Sequence, residues 1–77
     1  MAAGVLSLKP GEDDTQEPHN SDEMYYVLSG NGFLRINKTD YSIKSGKAFF
    51  IPKNVEHYFF GNTKKLTVLY FFGGSDS

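Results

Sequence analysis

Short runs of β-branched, aromatic and aliphatic residues recur along the chain, and turn-forming residues follow each run. The runs are four to seven residues long, which is too short for amphipathic helices and typical of β-strands. The pattern predicts seven strands, at residues 4–9, 24–29, 33–37, 41–45, 48–51, 57–60 and 66–72. Seven short strands at this spacing predict an all-β fold, either a sandwich or a small antiparallel β-barrel.

Two turns carry glycine beside asparagine, at Gly30-Asn31-Gly32 and at Gly61-Asn62. Both residue types tolerate the positive φ that tight hairpins need. We therefore expect the strands on either side of each turn to pair antiparallel.

Alternation along the second strand indicates which side chains share a face. If Glu23 points inward, Tyr25 and Val27 follow it, and residues 24, 26 and 28 point outward. Both sets are apolar, and the chain contains twelve aromatic residues, more than one small interior needs. Because a large exposed apolar patch usually marks an interface, we expect a homodimer, packed sheet to sheet or with exchanged edge strands.

The length of 77 residues predicts one domain, near the lower limit of what folds alone. Disulfides cannot stabilise it because there is no cysteine, which leaves a metal, a partner subunit or a very apolar core. The first fourteen residues lack the pattern of a secretory signal, and no stretch is apolar enough to span a membrane. The expected location is cytoplasmic.

Charge argues against nucleic acid as a partner. The net charge is only −1, and the eight lysine and arginine residues are scattered along the sequence. No basic stripe is available to bind phosphates. A small-molecule ligand is the expected partner instead.

Potential metal ligands precede the second strand. Glu17 and His19 are two residues apart and project to the same side of an extended segment, and Glu23 follows at the mouth of the strand. A short turn after Pro52 is able to bring His57 to the same opening. Mixed carboxylate and imidazole donors suit a divalent ion such as Mn²⁺, Fe²⁺ or Zn²⁺. The alternative is that the two histidines are solvated loop residues. Glu23 is then an exposed carboxylate at the strand entry, and Glu17 is a charge on a solvated acidic loop.

The spacing of these residues resembles the two motifs of small single-domain cupins. The first motif is matched in all its intervals by Gly11, Glu17, His19, Glu23 and Gly30. The second motif is likewise matched in all its intervals, by Gly46, Pro52, Asn54, His57 and Gly61. Together the motifs cover residues 11–61.

The resemblance implies a jelly-roll barrel, also called a double-stranded β-helix, as a single cupin domain over residues 1–72 with a flexible tail at 73–77. It assigns ligand roles to His19, Glu23 and His57. Three positions depart from the family pattern. Asn54 replaces a glycine and Gly61 an asparagine, and both keep turn chemistry. Glu17 replaces a histidine, so its role as a fourth ligand stays open.

Two hypotheses about function follow from such a centre. The first is a metal-dependent enzyme acting on a small oxygenated molecule, in which Glu17, a tyrosine such as Tyr25 or Tyr70, or metal-bound water transfers protons. The second is a non-catalytic module of cupin fold that binds a small ligand or serves dimerisation. Whether the chain is an enzyme is left open at this stage.

Two further charged residues have simple interpretations. Glu56 should point away from His57 along an extended segment, which makes it a surface charge. Arg35 is either an exposed hairpin residue, which we favour, or a residue that faces the barrel and binds an anionic substrate.

Overall fold

The computed structural model describes residues 2–14 and 21–73. Within these ranges the chain forms seven strands and no helix, as the sequence predicts. None of the described residues belongs to a helix long and apolar enough to cross a membrane. The strands are β1 (Ala2–Leu8), β2 (Glu23–Ser29), β3 (Asn31–Ile36), β4 (Thr39–Lys44), β5 (Ala48–Ile51), β6 (His57–Phe60) and β7 (Leu66–Phe72).

The strands form two antiparallel sheets. One has four strands in the order β1-β7-β2-β5, and the other has three in the order β4-β3-β6. The last strand, β7, lies in the middle of the larger sheet, between β1 and β2. This two-sheet arrangement confirms the predicted all-β, jelly-roll class of fold.

The inward faces of both sheets share one apolar core. Along β2 the burial alternates as predicted, with Glu23, Tyr25 and Val27 buried and the three residues between and after them exposed. Each strand of the larger sheet contributes alternate residues to the interior. The buried apolar side chains are Leu8, Tyr25, Val27, Leu34, Ile43, Ile51, Phe59, Leu66 and Val68.

The prediction of hairpins at the two glycine-asparagine turns is wrong. β2 and β3 belong to different sheets, and so do β6 and β7. Gly30 does adopt a positive φ of 99°. However, the chain there passes close to the segment before β7, and a Cβ on Gly30 would lie 2.5 Å from the Lys65 carbonyl oxygen. Gly30 therefore lies where the chain crosses from one sheet to the other, and the close approach of a second backbone segment requires a residue without a side chain.

The two crossings are held side by side by Asn31. Its side-chain oxygen accepts hydrogen bonds from the backbone N–H groups of Thr63 (3.0 Å) and Lys64 (3.2 Å). Its side-chain nitrogen donates to the Thr63 hydroxyl at 2.7 Å. Within the described residues, β3 and β4 are the one pair of consecutive strands that are hydrogen-bonded to each other. A two-residue turn joins them, and Asn37 in this turn has φ 59°.

The predicted flexible tail falls largely on residues 74–77, which lie outside the described residues. Gly73, the last described residue, donates its backbone N–H to the Asp22 carbonyl oxygen at 2.9 Å. This bond joins the end of β7 to the residue that precedes β2.

Candidate metal centre

A carboxylate and an imidazole meet inside the barrel. Glu23 begins β2 in one sheet and His57 begins β6 in the other, and both are buried, with exposed fractions of 2% and 3%. The Glu23 Oε1 atom lies 3.2 Å from the His57 Nε2 atom. The structure therefore brings these two of the four predicted ligands together, and their role as metal ligands stays a prediction.

The orientation of the His57 ring is fixed by the turn before β6. The Nδ1 atom lies 2.9 Å from the Val55 carbonyl oxygen, to which a protonated Nδ1 donates a hydrogen bond. In the neutral ring this leaves the lone pair on Nε2, which points toward Glu23. An imidazole held in this way by a backbone carbonyl presents the nitrogen that a metal ion binds.

Tyr25 contacts the same nitrogen from the next inward position of β2. Its hydroxyl group lies 3.0 Å from the His57 Nε2 atom and is buried. In the neutral form of the histidine the phenol donates to the Nε2 lone pair. The Tyr25 ring also packs edge-on against Phe59, with ring centroids 4.9 Å apart, so its position is set by the core.

The surroundings of His57 act on its pKa in opposite directions. Burial lowers the pKa because the charged ring loses its water. The hydrogen bond with Glu23, the bond to the Val55 carbonyl and the negative charges of Glu23 and Asp14 raise it, and together they outweigh burial. The net effect is a His57 pKa above the ordinary value of 6.5, which favours the protonated ring.

Asp14 is part of these surroundings, although its position in the acidic segment gave no reason to single it out. Its Oδ2 atom accepts a hydrogen bond from the Phe59 backbone N–H at 2.9 Å. This bond fixes the chain before residue 15 against β6, two residues from His57. Asp14 and Phe59 are 45 residues apart in the sequence, so local sequence patterns do not reveal this contact.

A cavity of about 400 Å³ lies between this loop and the edge strand β6. Residues 11–14 and 58–62 line it, and neither Glu23 nor His57 is among them. The cavity therefore adjoins the buried pair but does not contain it.

Comparison with known proteins assigns the family. A family model described as "Cupin domain" matches residues 4–72. The chain belongs to the cupin family.

Two curated proteins and one solved structure illustrate the relationship. An uncharacterized protein of Streptomyces coelicolor is 31% identical over 77 residues, which is all of this chain and 73% of that protein. The dimethylsulfoniopropionate lyase DddW of Ruegeria pomeroyi is 32% identical over 57 residues, covering 74% of this cupin and 38% of the lyase. The plu4264 protein of Photorhabdus luminescens superimposes with a TM-score of 0.87 at 23% identity, over 96% of this chain and 62% of the other. That last likeness supports the fold alone.

Two of the four ligands predicted for this cupin, Glu17 and His19, lie outside the described residues. Within residues 2–14 and 21–73, no three histidine, aspartate or glutamate side chains form a group able to hold a metal ion. The described part of the site consists of Glu23 and His57. Its donors fit a metal ion, because a buried carboxylate faces the imidazole nitrogen that carries the lone pair in the neutral ring.

Asp14 and Asp22 lie on either side of residues 15–20, and both are attached near the pair of Glu23 and His57. Asp14 is bonded to β6, and the Asp22 side chain accepts a hydrogen bond from the Lys53 backbone N–H at 3.0 Å. Lys53 belongs to the turn that leads to His57. Both attachments are to chain segments adjoining the buried pair.

Arg35 lies on the outer face of the smaller sheet, in agreement with the exposed hairpin reading. It forms an ion pair with Asp40 across the β3–β4 hairpin and donates to the Tyr58 hydroxyl at 2.7 Å. Its guanidinium also stacks 5.0 Å from the centre of the Phe60 ring. The hydrogen bond from Arg35 lowers the pKa of Asp40. Glu56 is exposed, as expected.

Proposed function

We propose that this cupin binds a divalent metal ion, Mn²⁺, Fe²⁺ or Zn²⁺, through Glu23, His57 and His19, with Glu17 as a fourth ligand. The observation that carries the proposal is the buried pair of Glu23 and His57, whose donor atoms face each other across the two sheets. A carboxylate oxygen and an imidazole nitrogen are both donor atoms that such divalent ions bind in proteins. His19 precedes Glu23 by four residues, the interval of the first cupin motif.

The proposed activity is an enzymatic reaction on a small oxygenated molecule at the barrel mouth. A bound metal ion supplies Lewis acidity at an oxygen atom of the substrate. Tyr25 is the side chain we assign to proton transfer, because its hydroxyl lies at the buried pair and the neighbouring core holds its ring in place. The similarity to a lyase, DddW, supports an enzymatic role without defining the substrate.

A second candidate function is ligand binding without turnover. The cavity of about 400 Å³ is of pocket size but is lined by residues 11–14 and 58–62 rather than by Glu23 or His57. In this case a small ligand occupies the cavity, and its affinity does not depend on metal.

Elemental analysis of untagged protein tests the metal site. We expect close to one divalent ion per chain in the wild type and at least about a tenfold loss in His57→Ala and in Glu23→Gln, since each substitution removes a ligand atom. Glu56→Gln is the matched control, because it removes an exposed carboxylate next to His57 and should retain the metal. Metal-free wild type, or His57→Ala with full metal content, would contradict the proposal.

A further inference from the structure

A short turn leads from β5 in the larger sheet to His57, the first residue of β6 in the smaller sheet. Residues 52–55 form this turn, and the Val55 backbone N–H closes it with a hydrogen bond to the Pro52 carbonyl oxygen at 3.3 Å. Asn54, at the third position, has φ 62°, a conformation that asparagine tolerates in such turns. The placement of His57 relative to the larger sheet therefore depends on what holds the turn.

The hydrogen-bond ladder between β2 and β5 ends where this turn begins. Glu23 pairs with Ile51, so the next position along the two strands sets Asp22 opposite Pro52. Proline has no N–H group to donate, and the ladder cannot continue on this side. On the other side of β2, the Asp22 carbonyl oxygen accepts a hydrogen bond from the Gly73 backbone N–H at 2.9 Å. Asp22 is thus anchored in the larger sheet by its backbone.

The Asp22 side chain makes the connection that the ladder does not. Its Oδ1 atom accepts a hydrogen bond from the Lys53 backbone N–H at 3.0 Å. The bond that closes the turn uses the N–H of Val55, so the N–H of Lys53 needs an acceptor from outside the turn. Asp22 therefore ties the turn before β6 to the end of β2.

The same turn orients the imidazole. Its Val55 carbonyl oxygen lies 2.9 Å from the His57 Nδ1 atom, and the Glu23 Oε1 atom lies 3.2 Å from Nε2 on the far side of the ring. Neighbouring residues of a strand face opposite sides, so Glu23 is buried while Asp22 is exposed. Two consecutive residues thus contact the segment that carries His57, one at the turn and one at the ring.

We infer that Asp22 is a positioning residue for the buried pair. Its hydrogen bond to the Lys53 N–H sets the turn so that the Nε2 atom of His57 is held at the Glu23 carboxylate. The part of this inference that concerns metal rests on the proposed function, because it takes Glu23 and His57 as ligands. The placement of the ring does not depend on that function. Residues that orient metal ligands without binding the ion contribute about 10–100-fold to affinity.

Two substitutions separate the hydrogen bond of Asp22 from its charge. Asp22→Ala removes both, whereas Asp22→Asn keeps a side-chain oxygen that can accept the bond. In untagged protein titrated with Zn²⁺ against a competing chelator, Asp22→Ala should raise the dissociation constant at least about tenfold, and Asp22→Asn should bind as the wild type does. Glu56→Ala is the matched control, because Glu56 is also an exposed carboxylate next to a proposed ligand, and it should bind Zn²⁺ like the wild type.

The absorption spectrum of the Co²⁺-loaded protein reports the ligand geometry directly. Asp22→Ala should change this spectrum, and Asp22→Asn should restore it. A role of Asp22 in stability alone would leave the spectrum of the folded variant unchanged.

A measurement on chelator-treated protein tests the placement of the ring without metal. The rings of Tyr25 and His57 have centroids 5.7 Å apart, and the Tyr25 hydroxyl lies 3.0 Å from Nε2. Nuclear Overhauser effects between the two rings should be present in the wild type and in Asp22→Asn and weakened in Asp22→Ala. A wild type that binds no Zn²⁺ would remove the proposed metal function, and these ring contacts would still decide the role of Asp22.

Two results would overturn the inference. One is an Asp22→Ala variant with wild-type ring contacts and Zn²⁺ affinity, even if urea unfolds it more easily. The other is equal weakening by Asp22→Ala and Asp22→Asn, which would assign the effect to charge. Should Asp22→Ala fail to fold, Lys53→Pro removes the same bond from its other end, at the second turn position, where proline is favoured. It should weaken Zn²⁺ binding and the ring contacts to the extent expected of Asp22→Ala, and wild-type behaviour would reject the inference.

Discussion

His57 is held through both of its ring nitrogens, and each contact has a different consequence. The Val55 carbonyl fixes the orientation of the ring, and Glu23 and Tyr25 meet at Nε2. The net rise in the His57 pKa depends on the Glu23 carboxylate, because burial alone acts in the opposite direction. The same carboxylate that we assign to the metal thus favours the protonated form of the histidine.

Glu23→Gln should lower the pKa of His57 in chelator-treated protein. The substitution removes the hydrogen bond and the charge that raise the pKa, and burial, which lowers it, remains. A titration of the His57 ring protons by NMR measures the change, with Glu56→Gln as the control that should leave the pKa nearly unaltered. A pKa that is unchanged or higher in Glu23→Gln would show that the carboxylate does not act on the ring.

The shift also predicts how the stability of the metal-free protein depends on pH. Because the folded-state pKa of His57 is raised above 6.5, the charged ring stabilises the fold fully below the unfolded-state pKa. This contribution is lost as pH rises through the folded-state pKa. Urea unfolding with chelator should therefore show that Glu23→Gln loses less stability than the wild type between pH 5.5 and pH 8.5. This range runs from about one pH unit below to about two above the pKa of an unfolded histidine. Equal losses would contradict this assignment.

At the scale of elements, the strands were predictable from the sequence and part of their pairing was not. Runs of apolar residues between turn residues mark strands because both signals are local. Gly30 has the positive φ expected of a hairpin glycine, yet it leads from one sheet to the other. Partner choice depends on residues distant in sequence, such as Lys65, and the turn alone does not encode it.

Gly30→Ala should destabilise the protein more than Gly46→Ala. Both glycines have similar backbone angles, φ 99° and φ 92°, so the cost of placing alanine in that conformation is shared. A Cβ at Gly46 meets nothing within 4 Å, whereas one at Gly30 meets the backbone of Lys65 and Leu66. We expect an extra loss of about 1–3 kcal/mol for Gly30→Ala, measured by urea unfolding. Equal losses would mean that the close approach at Gly30 is easily relieved.

The candidate site shows the same division between local and distant information. Motif spacing placed Glu23 and His57 at one opening, and the structure has their side chains 3.2 Å apart, while their ligand roles stay a prediction. The hydrogen bond from the Phe59 backbone to Asp14 and the contact between the Tyr25 hydroxyl and His57 were not predicted. Both join positions more than thirty residues apart and depend on how the two sheets are stacked.

For the whole molecule, metal binding and stability should be linked. An ion that binds the folded chain and not the unfolded one stabilises it by about 2.7 kcal/mol at a hundredfold excess over its dissociation constant. In a domain of this size each kcal/mol raises the melting temperature by about 4–8 °C. We therefore expect added Mn²⁺, Fe²⁺ or Zn²⁺ to raise the wild-type melting temperature by at least about 10 °C and EDTA to reverse the rise.

The matched variant is again His57→Ala, whose melting temperature should not respond to metal or EDTA. Thermal unfolding followed by circular dichroism provides the measurement. A Tyr26→Glu variant should keep the full response, since the Tyr26 side chain lies on the opposite face of β2 from Glu23. A wild-type melting temperature indifferent to all three ions would argue for the metal-independent binding function.

The central place of β7 in the larger sheet has a consequence for synthesis on the ribosome. Ala2 pairs with Phe72, so β1 leaves the exit tunnel well before the strand that it pairs with. Until residues 66–72 emerge, β1 has no partner strand and the apolar side chains of β2 are covered on one flank only. The larger sheet therefore cannot close until β7 is available, and the apolar segments of β1 and β2 are exposed to wrong associations during that interval.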